Sequence, residues 1–181
     1  MAQMDLRSVL LEIHTALREA SIAHALIGGL ALAAHGAARA TPSLDLLADG
    51  ERAGDLDRIL RERGYECLRR TENVANYVAA TAERGRIDFL FARRAYGKAM
   101  LARAALHTIL GAAIPVADAS DLIGLKVQSS SNDPSRRYVD LADIDRLLRS
   151  ATLDLSRVRE YFRIFDREKE LDALLSGDRG R

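Results

Sequence analysis

The chain of 181 residues contains one cysteine, three prolines and no tryptophan, and aromatic residues make up only 5% of it. Because Cys67 is the only cysteine, no intramolecular disulfide can form, which fits a reducing cytoplasm. The low aromatic content gives little support for a surface that stacks on the bases of single-stranded nucleic acid.

The sequence also lacks an excess of either sign of charge, since the formal net charge is +1. This near balance argues against a dominant electrostatic partner such as duplex DNA or an anionic membrane. No uninterrupted apolar run reaches about 18 residues, so we expect no membrane-spanning helix. No basic leader with an apolar core opens the sequence, so we expect no signal peptide and a cytoplasmic location.

Hydrophobic residues make up 48% of the chain and charged residues 29%, as in an ordinary globular protein. The length is enough for one domain with a sizeable core. We predict an α/β core over residues 1–118 and a helical C-terminal part over 119–181, packed together as one structural unit.

Hydrophobic spacing and turn residues predict the individual elements. The predicted helices are 5–20, 30–35, 55–63, 96–104, one beginning at residue 120, 138–149, 156–164 and 167–175. The predicted strands are 24–27, 44–47, 65–68, 76–81, 86–91 and short strands within 107–117. The polar residues 129–136 predict a loop, and residues 177–181 a frayed tail.

The most informative segment is residues 28–45, GGLALAAHGAARATPSLD. Gly28 and Gly29 precede a small-residue helix, Arg39 and Thr41 follow, and Asp45 lies in the next strand. Unpaired N–H groups at a helix N-terminus suit a phosphate, and glycine permits close approach of the backbone. Taken alone, the glycine pair is more often a tight turn.

A second carboxylate, Asp88, alternates with the apolar residues of the predicted strand 86–91. Carboxylates are hard oxygen ligands for Mg²⁺, and a neighbouring carboxylate can assist deprotonation of an acceptor. Asp45 and Asp88 suit these two functions if their strands are adjacent. The alternative is that each aspartate pairs with an arginine, for which Arg39 and Arg86 are the candidates.

The order of these motifs resembles the nucleotidyltransferase superfamily, and most closely the small bacterial group that includes the AbiEii-type toxins. The residues that match its first motif are Gly28, Gly29, Ala31, Arg39, Thr41 and Asp45. IDFL at 87–90 is similar to the segment that carries the third aspartate, here Asp88. GLKVQ at 124–128 and DLADI at 140–144 resemble the later lysine and aspartate helices, which indicates Lys126 and Asp140.

The resemblance implies an α/β fold with a nucleotidyltransferase-type mixed sheet flanked by helices. It also implies transfer of NMP from an NTP to an acceptor, with release of pyrophosphate and with Mg²⁺ or Mn²⁺ bound by Asp45 and Asp88. The implied catalytic residues are Asp45, Asp88 and Lys126. The implied phosphate-binding residues are Gly28, Gly29, Arg39, Thr41 and Ser43, with Asp140 in support.

The acceptor stays open among a tRNA end, a protein hydroxyl and a small molecule. A cognate partner protein, as in a toxin–antitoxin pair, is also possible on this resemblance. Lys126 has two interpretations, a contact to the triphosphate or a salt bridge to Asp140, and both can hold together.

The sequence departs from the family at Ser43, where the resemblance places the first metal-binding aspartate. Loss of a unit charge about 4 Å from a cation forfeits on the order of 4 kcal/mol at an effective dielectric of about 20. We therefore keep a second hypothesis, a catalytically degenerate nucleotide-binding or protein-interaction module.

Overall fold

The computed structural model describes residues 4–177, so the predicted tail lies, apart from residue 177, outside the described residues. One mixed sheet of seven strands runs through this part of the chain, in the order β3-β4-β5-β2-β1-β7-β6. The strands are β1 (His24–Leu26), β2 (Ser43–Asp49), β3 (Tyr65–Arg70), β4 (Val74–Ala79), β5 (Arg86–Ala92), β6 (Ala105–Ile109) and β7 (Ala112–Val116).

The centre of the sheet joins strands that are far apart in sequence. β2 pairs in parallel with β5 and antiparallel with β1, which in turn pairs in parallel with β7. The outer pairs β3–β4, β4–β5 and β6–β7 are antiparallel. The β2–β5 pairing brings together the two strands that carry the predicted carboxylates.

Eight helices flank the sheet in the described part of the chain. They are α1 (Leu6–Glu19), α2 (Gly28–Ala34), α3 (Ala53–Glu62), α4 (Ala95–Arg103), α5 (Ala119–Asn132), α6 (Arg137–Ser150), α7 (Leu155–Ile164) and α8 (Glu168–Ser176). Within residues 4–177, no helix has both the length and the apolar character needed to cross a bilayer.

The two faces of the central strands have different surroundings because side chains alternate along a strand. Leu44 and Leu46 of β2 and Ile87 of β5 point into the main core, with apolar residues of α1 and α3. The opposite face carries Leu47, which packs with Met100 of α4 and with α7. Asp45 lies on this second face, two residues before Leu47.

The predicted loop over 129–136 is wrong, because α5 continues to Asn132 and a 3-10 turn, Pro134–Arg136, follows. The hydroxyls of Ser130 and Ser131 donate to main-chain carbonyls one turn earlier, at 2.8 and 2.7 Å. These polar side chains are therefore satisfied inside a helix, where composition alone indicated a turn. Helix α2 also begins two residues earlier than predicted, at Gly28.

Candidate active site

The structure brings the two predicted carboxylates side by side. In the parallel β2–β5 pair, Asp45 is opposite Asp88 and Ser43 is opposite Arg86. Neighbouring strands lie about 4.8 Å apart, and residues opposite one another share a face. Burial raises the pKa of Asp45, and the negative charge of Asp88 raises it further. Two carboxylates thus share one patch of the sheet, which we call the carboxylate pair.

Asp88 is held by two donors on one of its oxygens. Asn76 Nδ2 of β4 donates to Asp88 Oδ1 at 2.6 Å, and Arg86 Nε donates to the same oxygen at 2.7 Å. Arg86 is thus the structural partner that the sequence suggested. Asn76 was not singled out, although the alternation in β4 places it opposite Asp88.

Ser43 occupies the position next to this pair without adding charge. Its hydroxyl lies 3.3 and 3.4 Å from the two oxygens of Asp45, at the long end of hydrogen-bond geometry. Thr41 Oγ1 donates to the main-chain oxygen of Ser43 at 3.2 Å. Both hydroxyls therefore support the strand end that carries Asp45.

The glycine pair lies directly against this strand. A Cβ at Gly28 would come within 2.3 Å of Asp45 Oδ2, and a Cβ at Gly29 would come within 2.5 Å of Thr41 Cβ. Gly28 also has a φ of +64°, which side-chain-bearing residues rarely adopt. The two glycines thus let α2 begin in contact with the carboxylate.

Lys126 of α5 is ion-paired on the neighbouring helix. Its Nζ lies 2.9 Å from Asp140 Oδ1 and 2.9 Å from Asp143 Oδ2, and its side chain is 10% exposed. The predicted salt bridge to Asp140 is therefore present. The positive charges of Lys126 and Arg39 also lower the pKa of Asp45.

Asp143, which no sequence motif indicates, is the shared partner, or hub, of a cluster of three cations, Lys126, Arg39 and Arg146. Arg39 Nε donates to both of its oxygens at 3.1 Å, and Arg146 Nη1 donates to Oδ1 at 3.1 Å. Its side chain is fully buried. Asp140 and Asp143 are three residues apart on α6, and this spacing places both on one helix face. That spacing was the available signal.

Two concave surfaces of about 280 and 340 Å³ lie elsewhere. The first is lined by residues of α4 and α7, including Tyr96 and Tyr161, and the second includes Asp49 and Lys98. Neither contains Asp45 or Asp88. We nonetheless place the candidate site at the carboxylate pair, because the register of β2 and β5 brings two negatively charged side chains together there.

The donor set fits a single hard cation that arrives with phosphates. In the part of the chain that the structure describes, no three side chains of His, Cys, Asp or Glu are grouped so that they could hold a metal. Mg²⁺, however, is commonly held by one or two carboxylates together with the phosphates of a substrate. Asp45 and Asp88, beside the Ser43 hydroxyl, match that smaller set.

Comparison with known proteins finds solved structures that share this fold. No family model matches the chain, and no curated protein matches it significantly. Among solved structures, the antibiotic-resistance factor ANT(2'')-Ia is 17% identical with a TM-score of 0.64, and 97% of each chain is covered. The lincosamide antibiotic adenylyltransferase LnuA, with lincomycin bound, is 13% identical with a TM-score of 0.58, over 80% of this chain and 97% of the other.

The chain has a nucleotidyltransferase fold. A nucleotidyltransferase-like protein from Paracoccidioides brasiliensis shares the fold as well, at 14% identity and a TM-score of 0.57 over 96% of this chain and 94% of that one. The predicted fold class is thereby confirmed. The closer resemblance to AbiEii-type toxins and the functions of the individual site residues stay predictions, because such low identity establishes the nucleotidyltransferase fold alone.

Proposed function

We propose that this protein is a nucleotidyltransferase that moves the NMP group of an NTP to a hydroxyl acceptor and releases pyrophosphate. The observation that carries the proposal is the register of β2 and β5, which sets Asp45 opposite Asp88 on one sheet face. The shared fold of ANT(2'')-Ia and LnuA supports it.

In this reaction the acceptor oxygen would attack the α-phosphorus, and the bond from that phosphorus to the β-phosphate oxygen would break. Asp88 would take the acceptor proton on Oδ2, since Oδ1 is already occupied by Asn76 and Arg86. Lys126 and Arg39 would lower the negative potential that the phosphates meet near Asp45.

A divalent cation would be held by Asp45 and Asp88, with Ser43 as a neutral ligand. Bound there, Mg²⁺ or Mn²⁺ would stabilise the negative charge that builds up on the transferred and leaving phosphates. The carboxylate pair is accessible to such a cation, because 22% of the Asp88 side chain is exposed.

A small hydroxylated molecule is the first acceptor class to test. The neighbour ANT(2'')-Ia is an antibiotic-resistance factor that matches this chain over 97% of both lengths, and a second structure of it contains adenylyl-2''-tobramycin. A tRNA end and a protein hydroxyl are the alternatives. A free NTP substrate would place the reaction in the cytoplasm.

A second candidate function is nucleotide binding without transfer. The observation that favours it is Ser43, whose hydroxyl lies against both oxygens of Asp45 where the resemblance implies another carboxylate. A neutral ligand lowers the affinity of the site for a cation. The chain would then be a binding or protein-interaction module built on the same fold.

Calorimetric titration of ATP and the other NTPs, with Mg²⁺ and with a chelator, separates these candidates. The unmodified chain, Ser43→Asp and Asp88→Asn are compared, with Asp172→Asn as a matched control, because Asp172 is an exposed aspartate on α8. Mg²⁺-dependent binding to the unmodified chain that is lost in Asp88→Asn supports the enzyme. NMP transfer to candidate acceptors is then measured by pyrophosphate release.

Binding only by Ser43→Asp would favour the degenerate module. Absence of NTP binding in both the unmodified chain and Ser43→Asp would overturn the proposed function. Equal losses in Asp88→Asn and Asp172→Asn would show that the effect comes from general charge or stability and not from the carboxylate pair.

A further inference from the structure

Arg86 occupies a position in the site that no matched motif assigned to nucleotide binding. It begins β5, directly opposite Ser43, while Asp45 and Asp88 are the next opposite pair on the same face. The guanidinium therefore borders the position where this chain has a neutral hydroxyl and the resemblance implies a carboxylate. Arg86 makes the local charge more positive at that point.

The guanidinium is only partly used by the protein. Its Nε donates to Asp88 Oδ1 at 2.7 Å, and 53% of the side chain is exposed. Among residues 4–177, the structure gives its two terminal nitrogens no hydrogen-bond acceptor. A guanidinium can hold a carboxylate with one nitrogen and still present two N–H donors side by side, which is the geometry that suits phosphate.

The other cations near the pair are engaged more completely. Lys126 is 10% exposed between two carboxylates, and Arg39 donates to both oxygens of Asp143. Binding of a phosphate by either residue would compete with a buried ion pair. Arg86 can bind phosphate without giving up its contact to Asp88.

We propose that Arg86 is a phosphate-binding residue of the carboxylate pair, which anchors Asp88 through Nε and binds the triphosphate through its terminal nitrogens. This inference rests on the proposed function, since it assumes a triphosphate at the site. The guanidinium would offset the negative charge of the two carboxylates where the anionic triphosphate binds. The same positive charge opposes binding of a free divalent cation.

Two titrations test both consequences on the full chain. ATP binding is measured by calorimetry with Mg²⁺ in excess over ATP, and Mn²⁺ binding is measured without nucleotide from the electron paramagnetic resonance signal of free Mn²⁺. The variants are Arg86→Gln, Arg86→Lys and the control Arg69→Gln. Arg69 is an exposed arginine of β3 in the same row of the sheet, opposite Asn76.

Arg86→Gln is expected to weaken ATP binding about tenfold or more, the size of a lost charge-assisted hydrogen bond. It is also expected to raise the affinity for Mn²⁺ about fivefold, because a positive charge leaves the neighbourhood of the carboxylates. Arg86→Lys keeps the charge but not the paired donors, so its ATP affinity should lie between that of the unmodified chain and that of Arg86→Gln. Arg69→Gln should change neither affinity by more than about twofold.

The proposal is overturned if Arg86→Gln leaves ATP affinity unchanged while the unmodified chain binds ATP, or if Arg69→Gln has the same effects. A structural function alone would lower both affinities together with the melting temperature. Absence of ATP binding in the unmodified chain and in Ser43→Asp would overturn the proposed function as well as the phosphate contact. The Mn²⁺ titration needs no nucleotide, so it still decides whether Arg86 opposes the cation.

Discussion

Gly28 lies so close to the carboxylate of Asp45 that no side chain fits at residue 28. A methyl group at residue 28 would come within 2.3 Å of Asp45 Oδ2, and the φ of +64° there is one that glycine tolerates best. The glycine is therefore explained by the close packing of α2 on β2, and this packing sets the backbone beside the candidate site.

We expect Gly28→Ala to destabilise the protein by about 2 kcal/mol or more. Alanine at positive φ costs on the order of 1 kcal/mol, and overpacking typically adds about 1–3 kcal/mol. The measurement is urea unfolding, with Gly54→Ala as the control, since a Cβ at Gly54 meets nothing within 4 Å. That control should be neutral or stabilising by up to about 1 kcal/mol. Equal stability of Gly28→Ala and the unmodified chain would contradict the contact.

Asp143→Ala should destabilise the fold far more than Asp172→Ala on α8. Removal of Asp143 leaves Arg39 without its buried carboxylate and Lys126 with Asp140 alone, and breaking buried ion pairs typically costs about 3–5 kcal/mol. Asp172 is 60% exposed and pairs with the partly exposed Arg159, and surface pairs of this kind are worth about 0.2–1 kcal/mol. Urea unfolding of both variants measures the difference, and similar losses would show that Asp143 is not the hub of the cluster.

Much of the fold could be predicted from local patterns. Ile87, Phe89 and Phe91 alternate with Arg86, Asp88 and Leu90, and this period of two predicts strand β5 and places Asp88 on the face away from the core. The order of the motifs also anticipated the fold. The sequence alone does not establish that Asp45 and Asp88 are adjacent, because pairing between strands that are far apart in the chain leaves no local signal.

The partners of the site residues were harder to predict, because they depend on tertiary packing. Arg39 was a candidate partner of a strand aspartate, yet it binds Asp143 of α6, 104 residues later in the sequence. No motif points to Asn76, because a lone polar residue in a strand has no distinctive pattern. The composition of the serine-rich end of α5 favours a loop, since composition does not show that the hydroxyls bond within the helix.

The pair His14 and His24 should make the protein less stable as the pH falls from 7.5 to 5.5. His24 Nδ1 donates to the carbonyl of Ile22 at 2.8 Å, so its Nε2 must accept the proton of His14 Nδ1, also at 2.8 Å. Burial lowers the pKa of both histidines, with further lowering of the His14 pKa by Arg18. The unfolded chain, with histidine pKa values of about 6.5, then binds more protons than the folded chain below that pH.

Stability is therefore lost as the pH falls through about 6.5, by at most about 1.4 kcal/mol per pH unit for each proton. Urea unfolding at several pH values measures this slope in the unmodified chain and in His24→Gln, which should have a shallower slope between pH 7.5 and 5.5. His107→Gln serves as the control, since it leaves the bonded pair intact. A slope in His24→Gln as steep as in the unmodified chain would refute the assignment.

Ser43→Asp should make the stability of the protein depend on divalent cations. Without a cation, a third carboxylate next to Asp45 adds like-charge repulsion, which its attraction to Arg86 on the opposite strand partly offsets. We expect a net loss of about 1 kcal/mol or less, which is at most roughly 2–4 °C in melting temperature for a chain of this size. A cation that binds only the folded chain stabilises it by mass action, so Mg²⁺ should restore the loss and raise the melting temperature further. Thermal melts with Mg²⁺ and with a chelator measure the two effects. Ser43→Asn, which is similar in size and uncharged, should show neither, and a matching response to Mg²⁺ in both variants would place the cation away from the carboxylate pair.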